Sequence, residues 1–196
     1  MRYPVGSKND FNNEVSYSNR GMTLEKEINI SNEYYLLNDI AIIHKKPTPI
    51  TVNKVDYNSR FDATIKEAHF KIPSTTDYNG IYKGKYIDFE AKETKNIKLF
   101  PLSNIHKHQL EHLKKIVRHG GIGFIIIRFI KINQTFLITI DKVLEYINDN
   151  YKKSIPVDYI EKFGYSIKDK YNPRIDYLEI LDKIYFKGDT YEKENK

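Results

Sequence analysis

Residues 74–92 read STTDYNGIYKGKYIDFEAK, and the alternation in the second half of that stretch decides how the chain folds. In KYIDFEAK (residues 85–92) a strand puts Tyr86, Asp88, Glu90 and Lys92 on one face and Ile87, Phe89 and Ala91 on the other. One face is polar and the other is core. Upstream, residues 77–82 form a second short strand candidate, with Lys83-Gly84 between the two as a two-residue turn. Folding back there pairs Tyr82 with Lys85. Carried down the ladder, the same register sets Asp77 opposite Glu90 and Thr75 opposite Lys92, with facing Cβ atoms about 4.5–5.5 Å apart. The turn asks Lys83 for a positive φ, and a slip of one residue would separate the carboxylates by face.

Like charges set opposite each other destabilise a sheet, so Asp77 against Glu90 calls for a cation. Oxygen ligands favour a hard one. Mg²⁺ fits, because it takes one or two carboxylates, keeps several waters and can share its shell with a substrate phosphate oxygen. Lys92, two residues along from Glu90, is placed to steady the charge that grows on phosphorus oxygens during attack, or to help hold the attacking water. A lone E-x-K is ordinarily a surface strand whose acids and bases alternate to keep an edge soluble. Here the apolar opposite face and the facing Asp77 weigh against that explanation.

Composition agrees with a folded domain of ordinary size: 196 residues, 40% hydrophobic and 13% aromatic. No apolar run approaches the roughly 18–20 residues of a membrane span, and the N-terminal MRYPVGSKND lacks the apolar core of a signal peptide, so a cytosolic location is expected. The absence of cysteine removes disulfides, thiolate zinc sites and cysteine nucleophiles. No G-x-S-x-G, Walker or Gly-rich dinucleotide motif is present, which leaves acyl transfer, nucleotide hydrolysis and hydride chemistry without support. The net charge of +6 is modest, but residues 83–118 hold nine Lys or Arg against four Asp or Glu, a net of +5. A polyanionic backbone would be drawn to that segment, beside the candidate metal site.

Residues 1–17 read as a polar, mobile arm, residues 18–186 as one domain and residues 187–196 as a polar tail. Thr23 is a helix N-cap with Glu25 in the first turn, and the helix should carry Leu24, Ile28 and Leu36 or Leu37 inward until about Asn38. A strand over AIIHKK ends at Pro47-Thr48-Pro49. A long hairpin over about residues 50–71 follows, turning near Tyr57-Asn58-Ser59. Lys54, Tyr57, Arg60 and Lys66 on it suit nucleic-acid contact. A helix from about Asn104 to His119, closed by Gly120-Gly121, turns Ile105, Leu113, Ile116 and Val117 inward. Gln109 falls on the same line and wants a polar partner, either backbone or a metal shell. GIGFIIIRFI and QTFLITI read as two adjacent core strands, after which Asp141 caps a short helix. Residues 154–186 should hold a short helix and a last strand or strand pair. His106, His108 and His112 share a helix, but only the last two have ligand spacing and no general-base Glu accompanies them, so a histidine metal site is rejected.

Asp77, twelve residues, then Glu90-Ala91-Lys92 matches the PD-(D/E)xK nuclease pattern. With SYSNRGMTLE, HKKPTP, STTDYNGIYKGKYIDFEAKETKN, FPLSNIHKHQ, HGGIGF and YNPRIDY around it, the chain resembles the RecU family, Holliday junction resolvases of Gram-positive bacteria, from about Ser16 to Phe186. The resemblance implies a restriction-endonuclease-like α/β fold, with a mixed central sheet flanked by helices and a protruding β-hairpin stalk that engages the junction. It implies a homodimer that nicks opposed strands of four-way junction DNA, leaving 5′-phosphate and 3′-hydroxyl ends, with Mg²⁺ as cofactor and Mn²⁺ as a substitute. The family's metal ligands fall on Thr75, Asp77, Glu90 and Gln109, and its transition-state-stabilising lysine on Lys92. RecA recombinase and the branch-migration machinery are implied partners, in recombination and DNA repair at the nucleoid. Asp88 shares the strand face but has no role in the family pattern. The alternatives are a duplex-cutting PD-(D/E)xK restriction or repair nuclease, and a non-catalytic junction- or recombinase-binding protein.

Overall fold

Three stacked aromatic rings pin the register of the central strands. Strand β4 (Tyr78–Tyr82) pairs antiparallel with β5 (Lys85–Thr94), which pairs parallel with β7 (Ile122–Phe129). Tyr78 faces Phe89 and Phe89 faces Phe124, with ring centroids 4.8 and 4.7 Å apart and planes nearly parallel. All three are fully buried, so a register slip would pull them out of the core. The turn obeys the same register. Tyr82 pairs with Lys85, and Lys83 and Gly84 take φ of 46° and 72°, as a type I′ turn requires.

The computed structural model describes residues 22–56, 63–71, 75–149 and 152–186. The 1–17 arm, Tyr57 and Arg60 near the hairpin tip, and the 187–196 tail lie outside them. The main sheet has six strands in the order β1 (Ile42–Lys45), β4, β5, β7, β8 (Gln134–Thr139), β10 (Tyr165–Ile167), parallel only between β5 and β7. The β1–β4 approach is close enough to need a glycine, since a Cβ on Gly80 would lie 2.1 Å from the Ile42 carbonyl oxygen.

The sheet separates two apolar clusters, as the strand alternation requires. On one side α1 (Leu24–Leu37) and α5 (Tyr177–Tyr185) cover Ile87, Phe89, Phe124 and Ile126; on the other α2 (Lys107–Arg118), α3 (Ile140–Asp149) and α4 (Val157–Phe163) cover Ile125, Ile127, Phe129 and Ile138. Strand β6 (Leu99–Pro101) makes a small ribbon with β9 (Ser154–Pro156). The expected hairpin is present as β2 (Ile50–Asp56) and β3 (Thr64–Phe70), paired with each other and outside the six-stranded sheet. This is the mixed α/β architecture with a separate hairpin that the sequence implies.

Several local expectations need correction. Thr23 caps α1 by accepting the Lys26 N–H, but Leu36 and Leu37 are exposed and Tyr35 takes the inward place, because the 3.6-residue period from Leu24 and Ile28 reaches 35. Helix α2 starts at Lys107; residues 102–104 form a 3₁₀ turn, so Ile105 is buried ahead of the helix. Asp141 stands inside the first turn of α3 rather than ahead of it. The short helix and last strand expected over 154–186 are α4 and β10, and a further helix that was not expected, α5, follows them. Asp176 accepts the Glu179 N–H as N-cap, and Tyr177, Ile180 and Leu181 are buried at helical spacing.

Candidate active site

The polar face of β5 turns toward α2, which is the crossover between β5 and β7, so Asp88 and Glu90 are both fully buried although they lie on a charged strand. Asp77 sits one residue before β4, and its backbone N–H donates to Glu90 Oε2 at 3.1 Å. The Lys92 ammonium approaches Glu90 Oε1 to 2.5 Å. Oε1 is buried and, this ammonium aside, has no partner among the described residues. Burial, and then the hydrogen-bonded and charged neighbour Asp77, push the Glu90 carboxyl up to about 7, against the pull of Lys92. A carboxyl pushed up in this way is a group that a further cation would stabilise in its charged form.

Around this pair opens a cleft of about 380 Å³ lined by Thr75, Thr76, Asp77, Lys92, His106, Gln109, Glu25 and residues 45–49. Gln109 is buried at the start of α2, where its Oε1 accepts the His106 N–H at 2.9 Å while the His106 side chain caps the N3 backbone. Both readings of Gln109 therefore meet: backbone satisfies the amide and the cap holds it at the cleft, with carbonyl lone-pair capacity left over. The structure brings Thr75, Asp77, Glu90, Lys92 and Gln109 together. It does not bring Lys54 and Lys66 to them, since both ride the exposed hairpin.

Among the described residues no cluster of three or more His, Cys, Asp or Glu side chains could cage a metal. The donor set is two carboxylates with a threonine and a glutamine, which suits Mg²⁺ with a largely aqueous shell rather than Zn²⁺. The residues present fit that ion.

Sequence reasoning missed several residues at the site. Lys46, in the HKKPTP stretch, donates to Asp88 Oδ2 at 2.8 Å and to Thr76 Oγ1 at 2.9 Å. Thr76 also donates to Asp88 Oδ1, and His112 Nε2 lies 3.0 Å from Oδ2. His112 follows Gln109 by three positions, so the two share a helix face, and that spacing was the available signal. Glu25, on the α1 N-terminus, reaches the cleft and pairs with Lys45 at 2.5 Å.

Mixed sheet, crossover helix and the Asp77, Glu90-Ala91-Lys92 set define an α/β protein with a PD-(D/E)xK-type centre. The family model "Recombination protein U" matches residues 19–183, and the chain belongs to that family, RecU. It is 49% identical to the Holliday junction resolvase RecU of Bacillus mycoides over 95% of this chain and 98% of the relative. It is 52% identical to the Holliday junction resolvase RecU of Geobacillus sp., over 88% of each chain. The solved structure of Hjc, a Holliday junction resolvase from Archaeoglobus fulgidus, aligns at 11% identity and a TM-score of 0.44, covering 72% of this chain and 92% of that one.

Proposed function

We propose that this protein is a Holliday junction resolvase, an endodeoxyribonuclease that nicks opposed strands of a four-way junction by metal-assisted hydrolysis. The observation that carries this reading is the buried Glu90 carboxylate held against Asp77 and Lys92, which line a cleft that lysines flank, in a chain of the RecU family. Asp77 and Glu90 would hold Mg²⁺, or Mn²⁺ in its place, with Thr75 and Gln109 completing or orienting the shell. When bound, the ion supplies charge to the scissile phosphate and acidifies a coordinated water for in-line attack. Lys92 lies beside Glu90, where its ammonium opposes the negative charge that grows on the phosphorus oxygens.

The β2–β3 hairpin is the proposed junction-engaging element, with Lys54 and Lys66 as phosphate contacts; Tyr57 and Arg60 belong to the same proposal. A homodimer with two such sites accounts for paired nicks, since one site cuts one strand. RecA and the branch-migration machinery are proposed partners through the family. Recombination and DNA repair at the nucleoid, in the cytoplasm, is the proposed setting; among the described residues no helix is long and apolar enough to cross a membrane. The test is the rate of nicking with Mg²⁺ on a four-way junction against a matched linear duplex. Faster cutting of the junction by an order of magnitude or more supports a resolvase, and equal rates would favour a duplex-cutting enzyme.

A further inference from the structure

Asp88 is a buried charge that the proposed mechanism does not use. Its carboxylate is fully enclosed, yet it carries more polar partners than Glu90: Lys46 at 2.8 Å, the Tyr86 hydroxyl at 3.0 Å, His112 at 3.0 Å and the Thr76 hydroxyl. Two of these partners mark the ends of one element. Lys46 follows β1 directly and precedes β2 by four residues, and Thr76 follows β3 by six, so a single carboxylate on β5 holds the two points at which the segments flanking the hairpin meet the main sheet. The Lys46 ammonium also bridges directly to Thr76 Oγ1 at 2.9 Å, and its backbone N–H donates to the Asp77 carbonyl at 2.7 Å. One further rung, from Lys71 N–H to the Pro49 carbonyl at 2.9 Å, closes the base.

Above that base the hairpin has little to hold it. Every residue of β3 and all but Val55 of β2 are exposed, and neither strand joins the main sheet. A two-stranded ribbon without a core takes its direction from where it is rooted. We propose that Asp88 is a positioning residue: by clamping both hairpin roots to β5, it fixes the direction from which DNA held by the hairpin reaches Asp77 and Glu90. This rests on the reading of the hairpin as a DNA-engaging element. Through His112 the same carboxylate also ties down the helix that carries Gln109, so hairpin and metal shell share one post. Asp88 touches neither DNA nor the ion in this account and acts through Lys46 and Thr76. Its removal should therefore reach substrate selection first.

The test uses Asp88→Asn and, because a changed buried charge can cost folding, Lys46→Met as a second variant that leaves Asp88 with its other partners. Hydrogen exchange of the full-length protein without DNA is followed at residues 46–56 and 64–77 and, as reference, at 122–129. In both variants the root segments should exchange faster by roughly tenfold with the reference changed less than about twofold. The ratio of junction to linear-duplex nicking should fall by roughly tenfold, since the duplex has less need of an aligned hairpin. Root exchange and selectivity both within about twofold of the unaltered protein would overturn the proposal. Equal slowing on both substrates with quiet roots would overturn it as well, as would acceleration of the reference strand to the same extent. An unaltered protein that nicks neither substrate would instead remove the resolvase reading, and the exchange measurement, which needs no DNA, would still decide the clamp.

Discussion

Glu90 Oε2 accepts the backbone N–H of Asp77 at 3.1 Å, so the two carboxylate residues meet although Asp77 stands outside the β4–β5 ladder. The hydrogen bond runs from backbone to side chain, just beyond the last ladder pair, Tyr78 and Phe89. It brings a second carboxylate beside a buried one, whose other oxygen, Oε1, faces the Lys92 ammonium at 2.5 Å.

The pH dependence of stability follows from that pair. The Glu90 carboxyl is pushed from its ordinary value of 4.5 up to about 7, by burial first and then by Asp77. An acid whose folded value is raised binds its proton more tightly in the native state, so its contribution is neutral below about 4.5 and becomes a growing penalty as pH rises to about 7. With chelator present, the stability of the unaltered protein relative to Glu90→Gln should fall between pH 4.5 and 7 and then level off. Urea unfolding of both proteins at pH 5 and pH 8 reads this; a difference that does not move with pH would contradict it. Mg²⁺ should restore the lost stability above pH 7, because the ion competes with the proton for the same oxygens.

Lys92 should matter to the chemical step more than to the ion. Lys92→Met is expected to lower the single-turnover nicking rate by roughly 10²–10³-fold, in the range of a lost charge-stabilising donor, while Mn²⁺ affinity holds or rises. A Mn²⁺ titration alongside the kinetics separates the two. A large loss of Mn²⁺ affinity would move Lys92 from stabilising the transition state to building the shell.

The ring stack that sets the register carries stability. Phe89→Ala removes the middle ring of Tyr78, Phe89 and Phe124 and should cost about 3–5 kcal/mol by chemical denaturation, as large aromatic deletions in cores do.

A buried ion network fixes α1 to the body. Glu27 pairs with Arg128 of β7 and, at 3.1 Å, with Arg174 from the YNPRIDY stretch. Glu27→Ala would leave Arg174 without an ion pair among the described residues and Arg128 with only Asp169 at 3.8 Å and the Thr135 hydroxyl, and should destabilise the fold by about 3 kcal/mol, whereas replacing the partners together with apolar groups should cost far less. Thermal unfolding of the single and combined variants distinguishes these.

On the hairpin, Lys66 is already paired with Asp56 at 2.6 Å, while Lys54 makes no ion pair among the described residues. Lys54→Ala should therefore reduce the slope of log affinity for junction DNA against log salt by about one, and Lys66→Ala by less. Equal effects would mean that Asp56 releases Lys66 on binding.

Much of the centre was legible in residues 74–92 because a strand's alternation is strict: once Lys83-Gly84 is taken as the turn, the places of Asp77, Glu90 and Lys92 follow. Gln109 was legible as an amide on an apolar helix line. His112 could be placed on the Gln109 face by its spacing, but its partner Asp88 could not, and Lys46 had no local signal, since both reach Asp88 only through the packing of α2 and the 46–49 segment over β5. The same limit explains α1 and α5. Leu36 or Leu37 was expected to continue the inward line of Leu24 and Ile28, but the helix turned Tyr35 to the core, and the run rich in Ile and Tyr after Asp176 forms a helix that Asp176 caps.

The most direct measurement is cleavage of a synthetic mobile four-way junction by the unaltered protein and by Glu90→Gln, with Mg²⁺ and with chelator, mapping both nicks and measuring junction binding in parallel. The account predicts symmetric paired nicks only for the unaltered protein with Mg²⁺, and near-normal junction binding by Glu90→Gln. Equal nicking by the two proteins, or undiminished nicking in chelator, would contradict it.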